Sequence, residues 1–210
     1  MKMPFPVLPV SIQTMMIKQQ QGTTIYYPQV IGLQNANVQQ SINQSIYQLV
    51  HSLIQWQSEQ QGTDSFTEMI GSFEIKTNER NILSLSLTNY AYAYHHAHGL
   101  TLMKSLTFDV QTGMQYQLSD LFKPGSNYVE VLSKMVQTQI NERDLQLLSD
   151  FSGISPDQDF YIADKALVLY FQLYEITPYY IGFPMFPISV FAIQDIINEN
   201  GPLGQMAVNN

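Results

Sequence analysis

A chain of 210 residues with 45% hydrophobic and 12% aromatic content can build one good-sized core, which excludes global disorder. No uninterrupted apolar run reaches the roughly 18 residues of a membrane-spanning helix, and a formal charge of -8 with no cluster of Lys and Arg excludes nucleic acid as a partner. Zero cysteine removes disulfides, thiolate nucleophiles and cysteine-zinc sites together, and leaves the redox compartment open.

The polar half of the composition is unusual. Charged residues make up 12% of the chain, and 24 Gln and 12 Asn stand in their place, whereas a charged share of ~25% is usual. Residues 1–58 hold Lys2 and Lys18 and no acid, so the remainder carries seven basic against 17 acidic residues, a balance of -10. An electrostatic partner of that remainder should be basic. The opening Met1-Lys2-Met3-Pro4-Phe5-Pro6-Val7-Leu8-Pro9 does not read as a signal peptide, because three prolines occupy the place of an apolar helix and no small-residue cleavage site follows. Two localisations stay open on that reading: a protein made without a signal, and a trimmed secreted domain.

In chain order, residues 10–18 and 23–31 read as extended, joined through Gln20-Gln21-Gly22 into an opening hairpin. Val38, Ile42, Ile46, Leu49, Leu53 and Trp56 then recur every three or four residues, which predicts an amphipathic helix over 37–60 with Asn37 as N-cap and Gly62 as its stop. His51 falls on its solvated face. Residues 66–78 and 81–98 return to period two around a loop at Asn78-Glu79-Arg80-Asn81. In the second of them Leu83, Leu85, Leu87, Ala91 and Ala93 face a core, while Ser84, Ser86, Thr88, Tyr90, Tyr92 and Tyr94 form a polar and aromatic ladder. Residues 100–110 predict another strand, with a short return at 114–118 after Gln111-Thr112-Gly113.

A second helix should open at Ser126 or Asn127, where Glu130 completes a capping box and Val129, Leu132, Met135 or Val136, and Ile140 form the buried stripe. Residues 160–163 and 166–173 predict a tight hairpin around Asp164-Lys165. Pro178, Gly182, Pro184 and Pro187 impose an irregular stretch, Ser189 caps a last short helix with Ile193, Ile196 and Ile197 inward, and the tail 201–210 reads as loose. The fold class is α+β, with mainly antiparallel sheets in an N-terminal half, 1–99, and a C-terminal half, 100–200, each carrying one long helix.

Few residues suggest chemistry. His96 and His98 of His95-His96-Ala97-His98 would share a face on a strand and could hold zinc or copper, but no third ligand stands near in sequence, so no metal is expected. A nucleophile turn, a phosphate cradle and a singled-out pair of carboxylates are all missing, Asp157 and Asp159 reading as solvated loop acids, so neither catalytic residues nor a cofactor are expected. The most distinctive segment is 170–184, in which Tyr174, Glu175, Tyr179 and Tyr180 sit on a loop held by Pro178, Gly182 and Pro184. Tyr on a rigid loop offers contact area for little lost rotamer freedom. The alternative is that the tyrosines pack beneath the loop and Glu175 caps backbone amides.

Tyr27-Pro28 through Gly32-Leu33 with the Ile42-Asn43 helix, Ala97-His98-Gly99, Thr107-Phe108-Asp109-Val110-Gln111-Thr112-Gly113, Leu118-Ser119-Asp120-Leu121-Phe122, Asp159-Phe160-Tyr161-Ile162 and Tyr174-Glu175-Ile176-Thr177-Pro178-Tyr179 follow one another in that order. In that order they resemble the RsiV-like extracytoplasmic domain, over about residues 25–198. This family covers the C-terminal part of the anti-sigma factor RsiV and the non-catalytic N-terminal region of the deacetylase PdaC. The resemblance implies two intimately packed halves, a mostly Gram-positive bacterial source, a cell-envelope setting and, as in RsiV, a receptor for lysozyme. It departs where His95 and His96 replace the glycines that usually precede the His98 position, and where the usual N-terminal signal or anchor would stand.

The leading expectation is therefore a non-catalytic binding module of the bacterial envelope or spore surface. Its ligand would be a basic protein such as a lysozyme-like muramidase, or the glycan of peptidoglycan, bound by Tyr174, Glu175, Tyr179, Tyr180 and His98. Two alternatives stand beside it: a structural spore-coat or surface component of a sporulating cell, suggested by the Gln, Tyr and Met content, and an enzyme that hydrolyses or deacetylates wall glycan.

Overall fold

The computed structural model describes residues 8–18 and 22–208. The reading of the first seven residues, Gln20 and Gln21 of the opening turn, and the last two residues of the tail lie outside them. The fold is α+β with two sheets, one of five strands in the order β1-β2-β3-β4-β5 and one of three in the order β6-β7-β8. β1 (Ser11–Ile17) and β2 (Thr23–Ile31) form the expected hairpin, and β3 (Phe66–Glu79), β4 (Ile82–Ala93) and β5 (Leu100–Asp109) form an antiparallel meander. β2 joins β3 in parallel, Thr23 to Ile25 against Met69 to Gly71. A parallel join needs a long crossover, and the helix α1 (Ala36–Gln61) supplies it. At the join a Cβ on Gly71 would stand 2.3 Å from Ile25 Cγ2, so only glycine lets the two strands meet there.

The N-cap of α1 is Asn35 rather than Asn37: its backbone is extended, and its side chain accepts from the N–H groups of Asn37 and Val38. Gly62 closes the helix in the left-handed conformation, as predicted. The buried stripe runs Val38, Ile42, Ile46, Val50, Leu53 and Gln57, so Leu49 and Trp56 sit on its shoulders. Gln57 can be buried because its amide donates to Asn89 O at 2.7 Å and Leu100 O at 3.0 Å.

That use of an amide recurs and accounts for part of the composition. A carboxamide carries the same donor and acceptor as a peptide unit, so it can satisfy both backbone groups of one residue where no strand is available. Asn43 does this for Val30, at 2.7 and 2.8 Å, and Asn78 for Val10, at 3.2 and 2.8 Å. Gln172 does it for Met103 on the outer edge of β5, at 3.3 and 2.7 Å. At that position the amide takes the place a further strand would occupy.

The second sheet comprises β6 (Phe160–Ala163), β7 (Ala166–Tyr170) and β8 (Met185–Ser189), all antiparallel, and α2 (Tyr128–Glu142) buries Leu132, Val136 and Ile140 in the same core. β8 corrects the expectation of an irregular stretch there. Pro187 is tolerated because β8 is an edge strand, where a missing N–H breaks no ladder. Ser189 caps a 3-10 turn at Val190–Ile193 by accepting from Phe191 N–H. The tail is not loose over 202–207: α3 (Pro202–Ala207) buries Pro202, Leu203 and Met206, and Arg80 donates to the carbonyls of Gln205 and Met206. Six residues carry too little periodicity for a sequence pattern to reveal them. β5 pairs with β4, so the first sheet extends past residue 99 to Asp109, and the short return at 114–118 is a single bridge from Gln115 to Phe108.

The two sheets meet on the polar face of β4. Ser84 and Ser86 are buried rather than solvated, because β6 crosses β3, β4 and β5 there with backbone groups that need partners. Thr77 Oγ1 donates to Ile162 O at 2.9 Å, Ile162 N–H donates to Ser84 Oγ at 3.0 Å, and Ser105 Oγ bonds Phe160 O. Ser105 also meets the fully buried Tyr170 hydroxyl at 2.9 Å, and burial pushes that phenol well above its ordinary pKa. Among the described residues no helix is long and apolar enough to cross a membrane.

Candidate functional site

β4 ends at Ala93, so His96 and His98 lie in a turn and not on one face of a strand. His95 adopts φ +70° to make that turn. Among the described residues no group of three or more His, Asp or Glu could hold a metal ion. What shapes the turn is Gly99: a Cβ there would stand 2.3 Å from the Tyr90 ring, so the ring occupies the space any other residue would need. Tyr90 is the last but one of the ladder tyrosines on β4. Burial first, then Glu68, Tyr179 and Tyr92, raise its pKa, so it stays a neutral phenol.

The loop 171–184 approaches from the other half. Its start is fixed by the Gln172 amide on Met103 and on Asp159 Oδ2, at 2.8 Å, and Asp159 in turn is gripped by Lys104 with both oxygens at 2.8 Å. Asp159 is thus a partnered, mostly buried acid rather than the solvated loop residue the sequence suggests. Tyr174 then takes φ +65°. A bulky aromatic residue in that region is a backbone outlier that the surroundings must hold in place.

The two loops bring three of the five expected site residues together. The Tyr174 hydroxyl lies 3.2 Å from His98 Nε2, and the His98 and Tyr179 rings stack with centroids 4.6 Å apart. Tyr174 and Tyr179 stack at 5.4 Å. Gly99 O pins both partners, accepting from His98 Nδ1 at 2.9 Å and from the Tyr179 hydroxyl at 3.4 Å. A carbonyl only accepts, so the proton sits on Nδ1, and in the neutral imidazole Nε2 accepts from Tyr174.

Glu175 and Tyr180 stand apart from this cluster. Glu175 Oε2 accepts from Gln172 N–H at 2.6 Å and so closes its own turn. Partial burial, the larger effect, and the nearby Asp159 raise its pKa against that hydrogen bond, although the residue keeps an exposed edge. Tyr180 reaches Gln146 on the far side of the 3-10 turn Tyr179–Ile181. The exposed aromatic area of this end is large: Tyr174 is 49%, Tyr94 69% and Tyr180 73% exposed. Tyr94 and Tyr90 were legible only as ladder residues, and the crowding at Gly99 that makes Tyr90 part of the site needs three dimensions.

Two family descriptions match this chain. "Deacetylase PdaC" matches residues 18–101, and "Protein of unknown function (DUF3298)" matches 119–190, which together span both loops or their neighbours. The anti-sigma-V factor RsiV of Bacillus subtilis (strain 168) is 27% identical over 199 residues, 86% of this chain and 67% of RsiV. Together these matches support an RsiV-like/PdaC N-terminal domain family for this chain. The peptidoglycan-N-acetylmuramic acid deacetylase PdaC of the same organism is 23% identical over 150 residues, and the match takes in 67% of this chain and only about a third, 32%, of PdaC.

Two solved structures share the fold. A DUF3298 family member from Bacteroides fragilis NCTC 9343 superposes with a TM-score of 0.69 at 13% identity, over 95% of this chain and 98% of that one. A DUF3298 family protein from Pseudomonas aeruginosa PAO1 gives 0.67, also at 13% identity, over 98% and 99%. The homology to RsiV and to the N-terminal region of PdaC suggests a non-catalytic extracytoplasmic domain.

Proposed function

We propose that this RsiV-like domain is a non-catalytic binding module of the bacterial cell envelope, and that it takes a basic protein on the aromatic end built from His98, Tyr174 and Tyr179. The observation that carries the reading is the meeting of those rings. Tyr174 and Tyr179 come from 76 and 81 positions away in sequence to close on His98; Gly99 O holds His98 and Tyr179, and both Tyr174 and the neighbouring His95 take left-handed backbone. Strain of that kind, held where side chains stay exposed, is typical of sites rather than of scaffolding. Rigid Tyr faces give contact area and cation-π acceptance for Lys and Arg.

The charge distribution favours the same class of partner. Residues 59–210 carry a balance of -10, which attracts a basic protein over a Debye length of about 8 Å at physiological salt. A lysozyme-like muramidase is the basic protein that the similarity to RsiV suggests. The role of Glu175 is revised within this reading: its carboxylate closes the 172–175 turn, so it sets the loop's shape and contributes charge only through its exposed edge. Titration calorimetry of the chain against a basic muramidase and against an acidic protein of similar size, at low and high salt, tests the proposal. Binding of the basic protein alone, weakened by salt, supports it; equal heats from both proteins, or none from either, refutes it.

A further inference from the structure

β2 and α1 of the first half carry a second site of different chemistry. β2 and the N-terminal half of α1 enclose an open groove of about 600 Å³ between Tyr27 and Gln29 on one side and Gln40, Gln44 and Tyr47 on the other, with Asn43 at its floor. Among the described residues that line it, none is charged. This follows from the sequence: residues 1–58 contain no acid, and 14 of the 24 glutamines precede residue 62, so the polar face of α1 is written in amides.

The amides fall into two groups. Asn43 spends both its donor and its acceptor on Val30, and Gln39 gives its oxygen to Leu33 N–H at 3.0 Å, so these two hold the groove's walls. The side-chain amides of Gln29, Gln40 and Gln44 make no hydrogen bond within the described residues and are available to a ligand. Gln40, Gln44 and Tyr47 lie at i, i+4 and i+7 on α1 and therefore share one face.

An aromatic ridge borders them. The Tyr27 and Tyr47 rings meet edge to face at 6.2 Å, and the Tyr47 ring leans on the His51 imidazole at 4.3 Å, whose Nε2 is buried without a partner. Tyr47 is thereby held in place while 48% of it stays exposed.

We infer that this groove binds a neutral oligosaccharide. A sugar ring presents C–H groups on one face and hydroxyls around its rim; a fixed tyrosine face takes the first, and free carboxamides, which both donate and accept, take the second. A charged ligand would meet no counter-charge here. An extended peptide needs unpaired strand edges and apolar side-chain pockets, and this groove offers neither, since Val30 already has its partners and most of the lining is amide, with Tyr27 and Tyr47 its only aromatic rings. This site does not depend on the aromatic end proposed for the protein partner, with which it shares no residue.

Amide-resolved NMR titration of the full chain tests the inference, with neutral tetrasaccharides of N-acetylglucosamine and of glucose as probes and a blocked tetra-alanine peptide as the competitor class. The expected result is saturable shifts confined to residues 27–29 and 36–51, the same affinity at low and high salt, and a loss of about tenfold in Tyr47→Ala with an unchanged Tm. A double variant, Gln40→Ala with Gln44→Ala, should lose affinity as well. No groove shifts with either sugar at about 10 mM, tighter binding of the peptide, an affinity that falls with salt, or full affinity in Tyr47→Ala would each overturn it. Failure of the muramidase experiment leaves these readouts untouched, because none of them involves residues 94–99 or 171–184.

Discussion

One face of β4 serves two purposes along its length. At Ser84 and Ser86 the second half lies on it, and the Ser84 hydroxyl accepts from the backbone of β6; at Tyr90 the same face runs out to the turn where His98, Tyr174 and Tyr179 meet in the open. In sequence the two stretches are the same alternation of polar and apolar residues. The difference is what covers them. Short hydroxyls suit a seam where backbone must be satisfied at close range, whereas Tyr, with a hydroxyl 6 or more bonds from the chain, suits an edge that is half wet.

The largest expected effect lies at the seam. Ser84→Val removes the acceptor of Ile162 N–H and the hydroxyl partner that Thr107 has at 2.9 Å, leaving buried polar groups unpaired. Denaturant unfolding should show a loss of about 1–3 kcal/mol, and the comparison breaks if the variant is as stable as the parent. Gly99→Ala comes next, at the boundary between the two regimes. Its Cβ would enter the Tyr90 ring, and overpacking of this kind costs about 1–3 kcal/mol. The Tyr90 ring can move outward in part, so the loss should be smaller than at Ser84, and ring-proton shifts of Tyr90 and Tyr179 should change together.

At the open end the prediction reverses sign. Tyr174→Asn puts a residue that tolerates the left-handed region at φ +65°, so Tm should hold or rise while the ring contact with His98 is lost. A clear drop in Tm would mean that Tyr174 is scaffold and not surface. The smallest effect concerns Glu175. Burial raises its folded-state pKa above the unfolded value, so ionising it weakens the fold. That penalty is fully present above the folded pKa and vanishes as pH falls through the unfolded one. Glu175→Gln keeps an acceptor for Gln172 N–H and removes the charge; its Tm should equal or exceed that of the parent at neutral pH, and the gap should close near about pH 4. A gap that widens on acidification would contradict the assignment of burial as the dominant cause.

How much of this was legible follows from the range over which each signal acts. α1 and α2 were readable because four turns of spaced Val, Ile and Leu leave a pattern, and the Asp164-Lys165 hairpin because its flanks are purely apolar. β8 and α3 were not. The prolines of β8 read as breaks until it is known to lie at a sheet edge, and α3 is held by Leu203, Met206 and the distant Arg80 rather than by its own pattern. For the site, the loop 170–184 stood out by composition, and the resemblance places one motif on that loop and another at Ala97-His98-Gly99. That Tyr174 and Tyr179 would close on His98, while Glu175 closed its own turn, depends on Gln172, which is anchored to Met103 on the β5 edge and to Asp159, 69 and 13 residues away in sequence.

Whether the aromatic end is a binding surface is decided at Tyr174. Calorimetric titration of a basic muramidase into the parent chain and into Tyr174→Asn, with Tm recorded on both samples, measures this directly. The expected result is a salt-sensitive affinity in the parent that falls by about tenfold or more in the variant at equal or higher Tm. Unchanged affinity in a folded variant would contradict it.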